Sequence, residues 1–450
     1  RSRSRSRSAS PSKPAHAPAP LSFTPADLAT TRSPMQSPIK PSSTSATPNT
    51  HKRRRPPSPH ATSSRSPTSS PTKPKRQRTS QSATSDKDAD ADADADEIYD
   101  RQIRLWGAAA QLRVSSARVA ILGTARGLSR GLAVEAVKNL ALAGIGHLSL
   151  VQLAIPNQVE EHDEDGKPTN FFAAAQRAHE HGTSAANVLE AGARALNPRV
   201  ALESVRVNGG SDMRAVKDVL RGHDLVLLVD APPSTAVAVN VVTRELGVKL
   251  LVGNVVGMNA WVFADLLAHG YIKETEMAPE SKDAEPVVVR THRKSTYVPL
   301  TEALGVELKH AVPKPRDRQR MATVTAVGML ALLRYWLDHG ALPENACEED
   351  RQRTWNAWQA ECKRHGVEFD GVGQDELMHM YRGCKGEINP IAAMTGGILA
   401  QEAVKTIQQK RAPVNNLFVF VGDIASGEVV ALGSKDELVG TVKDGEEEKQ

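Results

Sequence analysis

The sequence predicts an α/β protein with a Rossmann-like, doubly wound, mostly parallel sheet and a helical insertion in its second half. Short apolar runs of strand length alternate with longer amphipathic stretches six or seven times between residues 119 and 252, which is the pattern of repeated β-α-β units. The first run, Val119–Gly123, is apolar and ends in glycine. Such a run is typical of a buried parallel strand that enters a tight turn.

The first half of the fold can be assigned from apolar spacing and from helix breakers. Asn197-Pro198, for example, ends a long helix because proline lacks the N–H that a helix requires. The predicted order is strand Val119–Gly123, helix Leu132–Gly144, strand His147–Leu153, helix Ala173–Leu196, strand Val200–Val207, helix Met213–Leu220, strand Asp224–Val229, helix Ser234–Leu246 and strand Lys249–Val252.

The second half is predicted to add antiparallel strands and helices. The polar stretch Lys273–Lys294 predicts a mobile loop or crossing segment, because it lacks an apolar face. Ala392–Ile407 predicts a helix whose Gly396, Gly397 and Ala400 suit close packing. The remaining elements are an antiparallel strand at Trp261–Leu267, helices over residues 320–385, and a final hairpin of Asn416–Gly422 with Glu428–Leu432.

Residues 1–96 differ in composition from the rest of the chain. They are rich in Ser, Pro, Thr, Arg and Lys and poor in apolar residues, so we expect a disordered basic leader. Its basic clusters, Lys52–Arg55 and Lys73–Arg78, predict import into the nucleus, with a merely solvated basic tail as the alternative. The formal net charge of +5 reflects this leader, whereas residues 436–450 are predicted to form an acidic tail.

The three cysteines, Cys347, Cys362 and Cys384, show neither C-x-x-C pairing nor metal-ligand spacing. We therefore predict no metal site and no disulfide framework, which suits a reducing compartment. Cys384 is predicted to be a buried small apolar residue rather than a nucleophile. No apolar run is long enough to cross a bilayer, so no membrane partner is expected.

The run Glu97–Gly107, which opens the predicted fold, contains an Arg-x-x-Arg pair, Arg101 and Arg104, between two aromatic residues. Periodicity alone favours an amphipathic first turn with Ile103 and Trp106 buried and the arginines solvated. The run also resembles the opening signature of the enzymes that activate ubiquitin-like proteins. There it lies just before the first strand of a nucleotide-binding fold.

Seven stretches in the same order extend this resemblance over nearly all of the predicted fold. The chain resembles the family of smaller, cysteine-less regulatory subunits of the heterodimeric SUMO-activating enzyme, within the ubiquitin-activating enzyme family. This resemblance implies a degenerate ThiF/MoeB-type adenylation domain at residues 97–435, with a helical insertion at about 309–385. The stretches are Tyr99–Gly107, Glu135–Gly144, Asn197-Pro198, Gly253–Ala264, Pro299–Leu304, Gly396–Lys405 and Asn415–Gly422.

The predicted turn after the first strand departs from a working phosphate site. Such a turn needs glycines so that backbone N–H groups can approach an anion at a helix N-terminus. Gly123, Gly127 and Gly131 match neither G-x-G-x-x-G nor a P-loop. Compared with the family, the turn has about five extra residues, Arg126–Arg130, which could form a surface loop. Gln152 replaces the acidic residue expected to bind ribose hydroxyls, so we predict that this chain binds no cofactor.

The resemblance implies a catalytic, cysteine-bearing partner subunit that holds ATP and magnesium, with the SUMO-type modifier bound through the complex. It also implies that Arg101 reaches in trans to the partner's ATP phosphates, where its planar charged fork would stabilise developing negative charge. Arg104 either assists or pairs locally with Asp100. The chain would then be an enzyme subunit that is inactive alone.

Three alternatives remain open. The regulatory subunit for the Rub/Nedd-type modifier shares the signature but carries a much larger helical insertion than residues 309–385 can provide. A free-standing nucleotide-dependent enzyme would need an intact glycine turn and a ribose acid. A nuclear RNA-associated scaffold is suggested only by the Arg-Ser repeats of Arg1–Ser8. Since no RNA-recognition signature follows, nucleic acid is not an expected partner.

Overall fold

The computed structural model describes residues 98–154, 184–208, 213–277, 287–308, 317–344, 347–366, 373–422 and 425–443. The predicted leader, residues 1–96, lies outside these ranges, as does the first part of the helix predicted at Ala173–Leu196. Within the described ranges, no helix combines the length and the apolar character that a membrane span requires.

The described elements alternate as predicted between residues 118 and 256. The helices are α1 (Asp100–Trp106), α2 (Ala108–Ser116), α3 (Ala125–Ser129), α4 (Gly131–Ala143), α5 (Ala185–Leu196), α6 (Met213–Leu220), α7 (Pro233–Leu246), α8 (Leu300–Ala303), α9 (Asp317–His339), α10 (Glu348–His365), α11 (Gln374–Met380) and α12 (Asn389–Gln408). The strands are β1 (Arg118–Thr124), β2 (His147–Ala154), β3 (Ala201–Asn208), β4 (Leu225–Val229), β5 (Lys249–Val256), β6 (Asn259–Asp265), β7 (Ala268–Met277), β8 (Val287–Thr296), β9 (Leu417–Val421), β10 (Ser426–Val430) and β11 (Lys435–Lys443).

An eight-stranded sheet forms the centre of the fold, in the order β10-β9-β6-β5-β4-β1-β2-β3. Strands β3, β2, β1, β4 and β5 are parallel, whereas β6, β9 and β10 are antiparallel. The chain order reverses between β1 and β4, which is the arrangement of a doubly wound sheet. The predicted fold class and the final hairpin are therefore confirmed.

Helices cover both faces of the sheet, which explains why its central strands read as continuous apolar runs. Helices α4 and α12 pack together on one face, where a Cβ added at Gly396 would lie 2.6 Å from the Cβ of Glu135. Ala400 is buried in the same core, but a Cβ at Gly397 would meet no atom within 4 Å. The predicted close packing is thus confirmed at Gly396 and Ala400 but not at Gly397.

The prediction of a loop over Lys273–Lys294 is wrong in its described parts, because β7 and β8 are strands there. Together with β11 they form a separate three-stranded antiparallel sheet in the order β11-β8-β7. Charged residues pair across the strands, as Arg290 Nε and Glu274 Oε1 do at 3.2 Å, while Tyr271 and Val289 are buried. An antiparallel sheet with a solvated face needs no continuous apolar run. Residues 278–286 lie outside the described ranges.

The described part of the predicted acidic tail also belongs to the fold, because Lys435–Lys443 is strand β11. Asp436 accepts hydrogen bonds from Tyr271 Oη at 3.2 Å, Arg293 Nε at 2.8 Å and Ser295 Oγ at 3.0 Å. An ionised carboxylate that binds three donors stabilises the pairing of this strand with β8. The fold therefore extends to at least Lys443.

The predicted helical segment contains α9, α10 and α11, and polar side chains join it to the chain that precedes it. His365 is fully buried, and its Nδ1 accepts a hydrogen bond from the Leu308 backbone N–H at 3.1 Å. Arg334 binds Glu361 Oε1 at 3.1 Å and the Leu304 carbonyl at 2.9 Å. These bonds anchor α9 and α10 beside residues 300–308.

Candidate functional site

The signature lies in helix α1, which is short and at the surface. Arg101 is exposed, while Ile103 and Trp106 are half-buried. Arg104 Nε binds Asp100 Oδ1 at 2.9 Å, so Arg104 takes the local pairing that the sequence left open. The exposure of Arg101 leaves its guanidinium accessible to a partner, and its role in trans stays a prediction.

Tyr99 attaches the start of α1 to the C-terminal end of α4. Its ring is buried and lies directly against Gly144, which ends α4 in the left-handed conformation at φ 77°. A side chain at position 144 would overlap the ring as well as strain the backbone. Asn197 Nδ2 donates to Tyr99 Oη at 2.8 Å, so Asn197 also holds the signature.

The turn between β1 and α4 is filled by the short helix α3. Thr124 Oγ1 accepts a hydrogen bond from the Gly127 backbone N–H at 3.1 Å, and Leu128 is fully buried. A Cβ at Gly127 would lie 2.8 Å from the Val229 carbonyl oxygen, so this glycine allows close packing of α3 on β4. Residues 126–130 are therefore not a simple surface loop, because Gly127 and Leu128 are buried, although Arg126 is exposed.

A cluster of three ionisable residues, Arg130, Asp230 and Glu387, lies at the N-terminus of α4. Glu387 Oε1 accepts a hydrogen bond from the Gly131 backbone N–H at 2.6 Å, and Glu387 Oε2 lies 3.0 Å from Arg130 Nε. Asp230 Oδ2 lies 3.8 Å from Arg130 Nη1. A carboxylate of the chain itself thus occupies the helix N-terminus where nucleotide-binding folds place a phosphate.

Burial raises the pKa of Asp230 to about 7, with Glu387 adding to the rise and Arg130 opposing it. Its Oδ1 accepts a hydrogen bond from the Val255 backbone N–H at 2.9 Å. Its backbone has a φ of 44°, a conformation that costs free energy in residues other than glycine. A strained backbone and a shifted pKa together are typical of residues in a ligand-binding site. Here, however, Asp230 contacts other residues of the same chain, in the cluster with Arg130 and Glu387.

Gln152 lies near the carboxyl end of β2, opposite Gly123 in the neighbouring strand. Its side chain is buried, and within the described residues its Oε1 has no hydrogen-bond partner. A neutral amide cannot supply the paired acceptor oxygens with which a carboxylate binds ribose hydroxyls. Residues 155–183, which follow this strand, lie outside the described ranges.

Two of the three cysteines in the predicted insertion, Cys362 and Cys384, are buried and are not activated as nucleophiles. Cys384 is buried, with Sγ donating to the Pro343 carbonyl at 3.1 Å. Burial raises the pKa of Cys384 to about 11 and that of Cys362 to about 12, so both remain thiols at neutral pH. Cys384 therefore has the buried environment that the sequence predicted, whereas Cys347 is exposed.

Sequence reasoning missed Asp230, Glu387 and the role of Asn197. Asp230 follows the apolar strand β4 directly, and that position at the end of a parallel strand was a usable signal. Glu387 is 256 residues from Gly131 in the chain, so no local sequence pattern indicates that the two are in contact. Asn197 was recognised as part of a helix-ending pair and of one of the family stretches, but its hydrogen bonds to Tyr99 and Ala141 were not predicted.

The chain is similar in sequence to proteins of a known family. A family model described as the ThiF family matches residues 99–431. SUMO-activating enzyme subunit 1 of Xenopus laevis is 31% identical over 75% of this chain and 95% of its own length, and that of Homo sapiens is 30% identical over the same shares. DNA damage tolerance protein RHC31 of Saccharomyces cerevisiae is 26% identical over 72% of this chain and 93% of its own length. The crystal structure of E. coli MccB with succinimide covers 74% of this chain and 71% of that chain at 12% identity and a TM-score of 0.39.

The chain belongs to the ThiF family and, within it, to the family of SUMO-activating enzyme subunit 1. The predicted family and the ThiF-type fold are therefore confirmed.

Proposed function

We propose that this chain is the non-catalytic subunit of a heterodimeric SUMO-activating enzyme. It supports ATP-dependent adenylation of the modifier and its transfer to a cysteine of the partner subunit. The observation that carries the proposal is the carboxylate of Glu387 at the N-terminus of α4. The names of the relatives favour a SUMO-type modifier over a Rub/Nedd-type one.

The geometry of the α4 N-terminus argues against a nucleotide on this chain. Any phosphate there would meet the negative charge of Glu387 and would have to displace its hydrogen bond to Gly131. Leu128 fills the space beneath the turn. Gln152 also lacks the carboxylate that would bind the ribose hydroxyls of a nucleotide. ATP and magnesium therefore belong on the partner subunit, and this chain holds no cofactor of its own.

Arg101 is the residue through which this chain reaches the reaction. Adenylation develops negative charge on the α-phosphate and on the departing pyrophosphate. An exposed arginine on an anchored helix can place a permanent charge and a bidentate donor against those oxygens. We assign the enzyme to the nucleus because basic clusters occur at Lys52–Arg55 and Lys73–Arg78.

The test is ATP–pyrophosphate exchange that depends on added modifier. The purified single chain is expected to give no exchange above background, and the complex with its cysteine-bearing partner is expected to give robust exchange. Labelling both preparations with a photoreactive ATP analogue should mark only the partner. Robust exchange or specific labelling by the isolated chain would overturn the proposal.

A further inference from the structure

Three side-chain amides cap the C-terminal end of α4. The last carbonyl groups of a helix have no partner within the helix and must be satisfied from outside. Here three consecutive carbonyls each accept a hydrogen bond from an amide nitrogen that lies elsewhere in the chain. The pairs are Asn197 Nδ2 with Ala141 at 2.8 Å, Gln102 Nε2 with Leu142 at 3.1 Å, and Gln111 Nε2 with Ala143 at 3.1 Å.

The same three residues hold α1 along its whole length. At its start, Asn197 also donates to Tyr99 Oη at 2.8 Å. Gln102 lies within α1, next to Arg101 in the sequence. At its end, Gln111 Oε1 accepts a hydrogen bond from Trp106 Nε1 at 2.9 Å. Each amide therefore joins α1, or a residue that flanks it, to α4.

Apolar packing by itself cannot fix the orientation of α1. None of its seven residues is buried, and a helix of this length is unstable in isolation. Gln111 and Asn197, in contrast, are only 5% and 7% exposed. Their hydrogen bonds lie in a medium of low polarity and are correspondingly strong. The carbonyl end of α4 also carries negative partial charge, which favours amide donors.

We propose that Gln102, Gln111 and Asn197 are positioning residues, which fix α1 on α4 so that Arg101 points at the partner's nucleotide. This inference rests on the proposed role of Arg101 in trans. A side chain that stabilises a transition state must be held in its productive geometry, and a displacement of about 1 Å can lower a rate by about a hundredfold. The amides act through Arg101 and do not touch the substrate themselves.

The test is a double-mutant cycle in the assembled enzyme. Gln102→Ala should lower kcat for modifier-dependent pyrophosphate exchange by about tenfold to a hundredfold, with KM for the modifier unchanged. Gln102→Glu should be equally slow, because a carboxylate cannot donate to the Leu142 carbonyl. In an Arg101→Ala background, neither change should lower the rate further, since positioning matters only when the guanidinium is present.

Gln111→Met provides an independent second variant, because it removes a different amide at the other end of α1. It should show the same dependence on Arg101 in a complex whose assembly is verified by gel filtration. The matched control is Gln352→Ala, which alters an exposed glutamine of α10 whose Nε2 donates to Asn356 Oδ1 at 2.9 Å. This control should leave the rate unchanged.

The outcomes separate the inference from the function on which it rests. If Arg101→Ala exchanges at the wild-type rate, the proposed function fails and the positioning role fails with it. If Arg101→Ala is slow but the amide variants are as fast as wild type, only the positioning role is overturned. The positioning role is likewise overturned if the amide variants cause equal losses with and without Arg101, because their effect is then purely structural.

Discussion

Arg101, Arg104 and Arg130 show how the surroundings of an arginine decide what it can do. Arg130 lies between Asp230 and Glu387, with 15% of its side chain exposed, so its charge is used within the fold. Arg104 is exposed and pairs with Asp100 in the same helix, a contact that adds little stability. Arg101 is exposed on a helix that is anchored at both ends. Of these three arginines, Arg101 is the one suited to a partner.

Arg101→Ala should lower adenylation by the assembled enzyme by a factor on the order of a hundred, comparable to the loss of one preorganised donor to a developing oxyanion. Arg101→Lys should restore only part of the rate, because an ammonium keeps the charge but loses the bidentate fork. Pyrophosphate exchange measures the effect, with gel filtration to show that the complex still forms. Wild-type rates in a fully assembled Arg101→Ala complex would contradict the role of this residue.

Asp230 should make the folded protein less stable as the pH rises from about 4 to about 7. Its pKa is raised from the ordinary value of 3.8 to about 7, so in this window the folded state keeps a proton that the unfolded chain releases. By linkage, the free energy of unfolding falls as the pH rises through the window. Asp230→Asn removes this dependence and should gain stability relative to wild type between pH 4 and pH 8.

Urea denaturation at several pH values measures the effect of Asp230→Asn. Asp218→Asn is the control, because Asp218 is exposed and binds its neighbour Arg221 at 3.3 Å. If the free energy of unfolding changes with pH in the same way in Asp230→Asn and in wild type, Asp230 does not titrate between about pH 4 and pH 7.

At the scale of elements, α4 is held at both ends by side chains from distant parts of the chain. It has 13 residues and is therefore about 20 Å long. Glu387 binds its N-terminus, and Gln102, Gln111 and Asn197 bind its C-terminus. Strand β11 is held in a comparable way, because Asp436 binds donors on β7 and β8. In both cases polar contacts with distant residues hold the element in place.

Asp436→Ala should destabilise the small sheet and lower the urea midpoint with little change in the m-value. The substitution leaves Tyr271, Arg293 and Ser295 without their shared acceptor. Asp436→Asn should have a smaller effect, because it keeps one acceptor oxygen. Glu437→Ala, at the next exposed position of the strand, is the control and should leave the midpoint unchanged. Equal midpoints for Asp436→Ala and Glu437→Ala would contradict the anchoring role of Asp436.

At the scale of the whole molecule, charge is distributed unevenly along the chain. The formal net charge is +5, and basic residues concentrate in the leader, which lies outside the described ranges. In the folded part, many charged side chains instead form ion pairs, for example Arg244 Nε with Oδ2 of the buried Asp265 at 2.6 Å. Charge thus separates the leader from the folded part, and the import proposed for the leader can be tested apart from the modifier activation proposed for the folded part.

Deleting residues 1–90 should leave exchange by the assembled enzyme intact and shift the protein from the nucleus toward the cytoplasm. The reason is that the basic clusters Lys52–Arg55 and Lys73–Arg78 are removed, while the folded part is kept. Fluorescence microscopy of tagged full-length and truncated chains measures the nuclear fraction. A variant with only these basic residues changed to alanine is the matched control, and an unchanged nuclear fraction in both would show that import is carried elsewhere.

The sequence by itself determined the doubly wound sheet, the final hairpin, the helical segment over residues 320–385 and the burial of Cys384. The sheet, the hairpin and the helices follow from apolar spacing along local stretches such as Val119–Gly123, because that spacing records which side of an element faces the core. The burial of Cys384 follows instead from the usual environment of a free cysteine. Only the tertiary structure decided that β7, β8 and β11 are strands, that Glu387 fills the N-terminus of α4, and that Asn197 holds α1. These features depend on hydrogen bonds between residues up to 256 positions apart. A hydrogen bond between two distant residues leaves no periodic pattern in the sequence around either residue. Burial of one face of a helix or strand against the core does leave such a pattern.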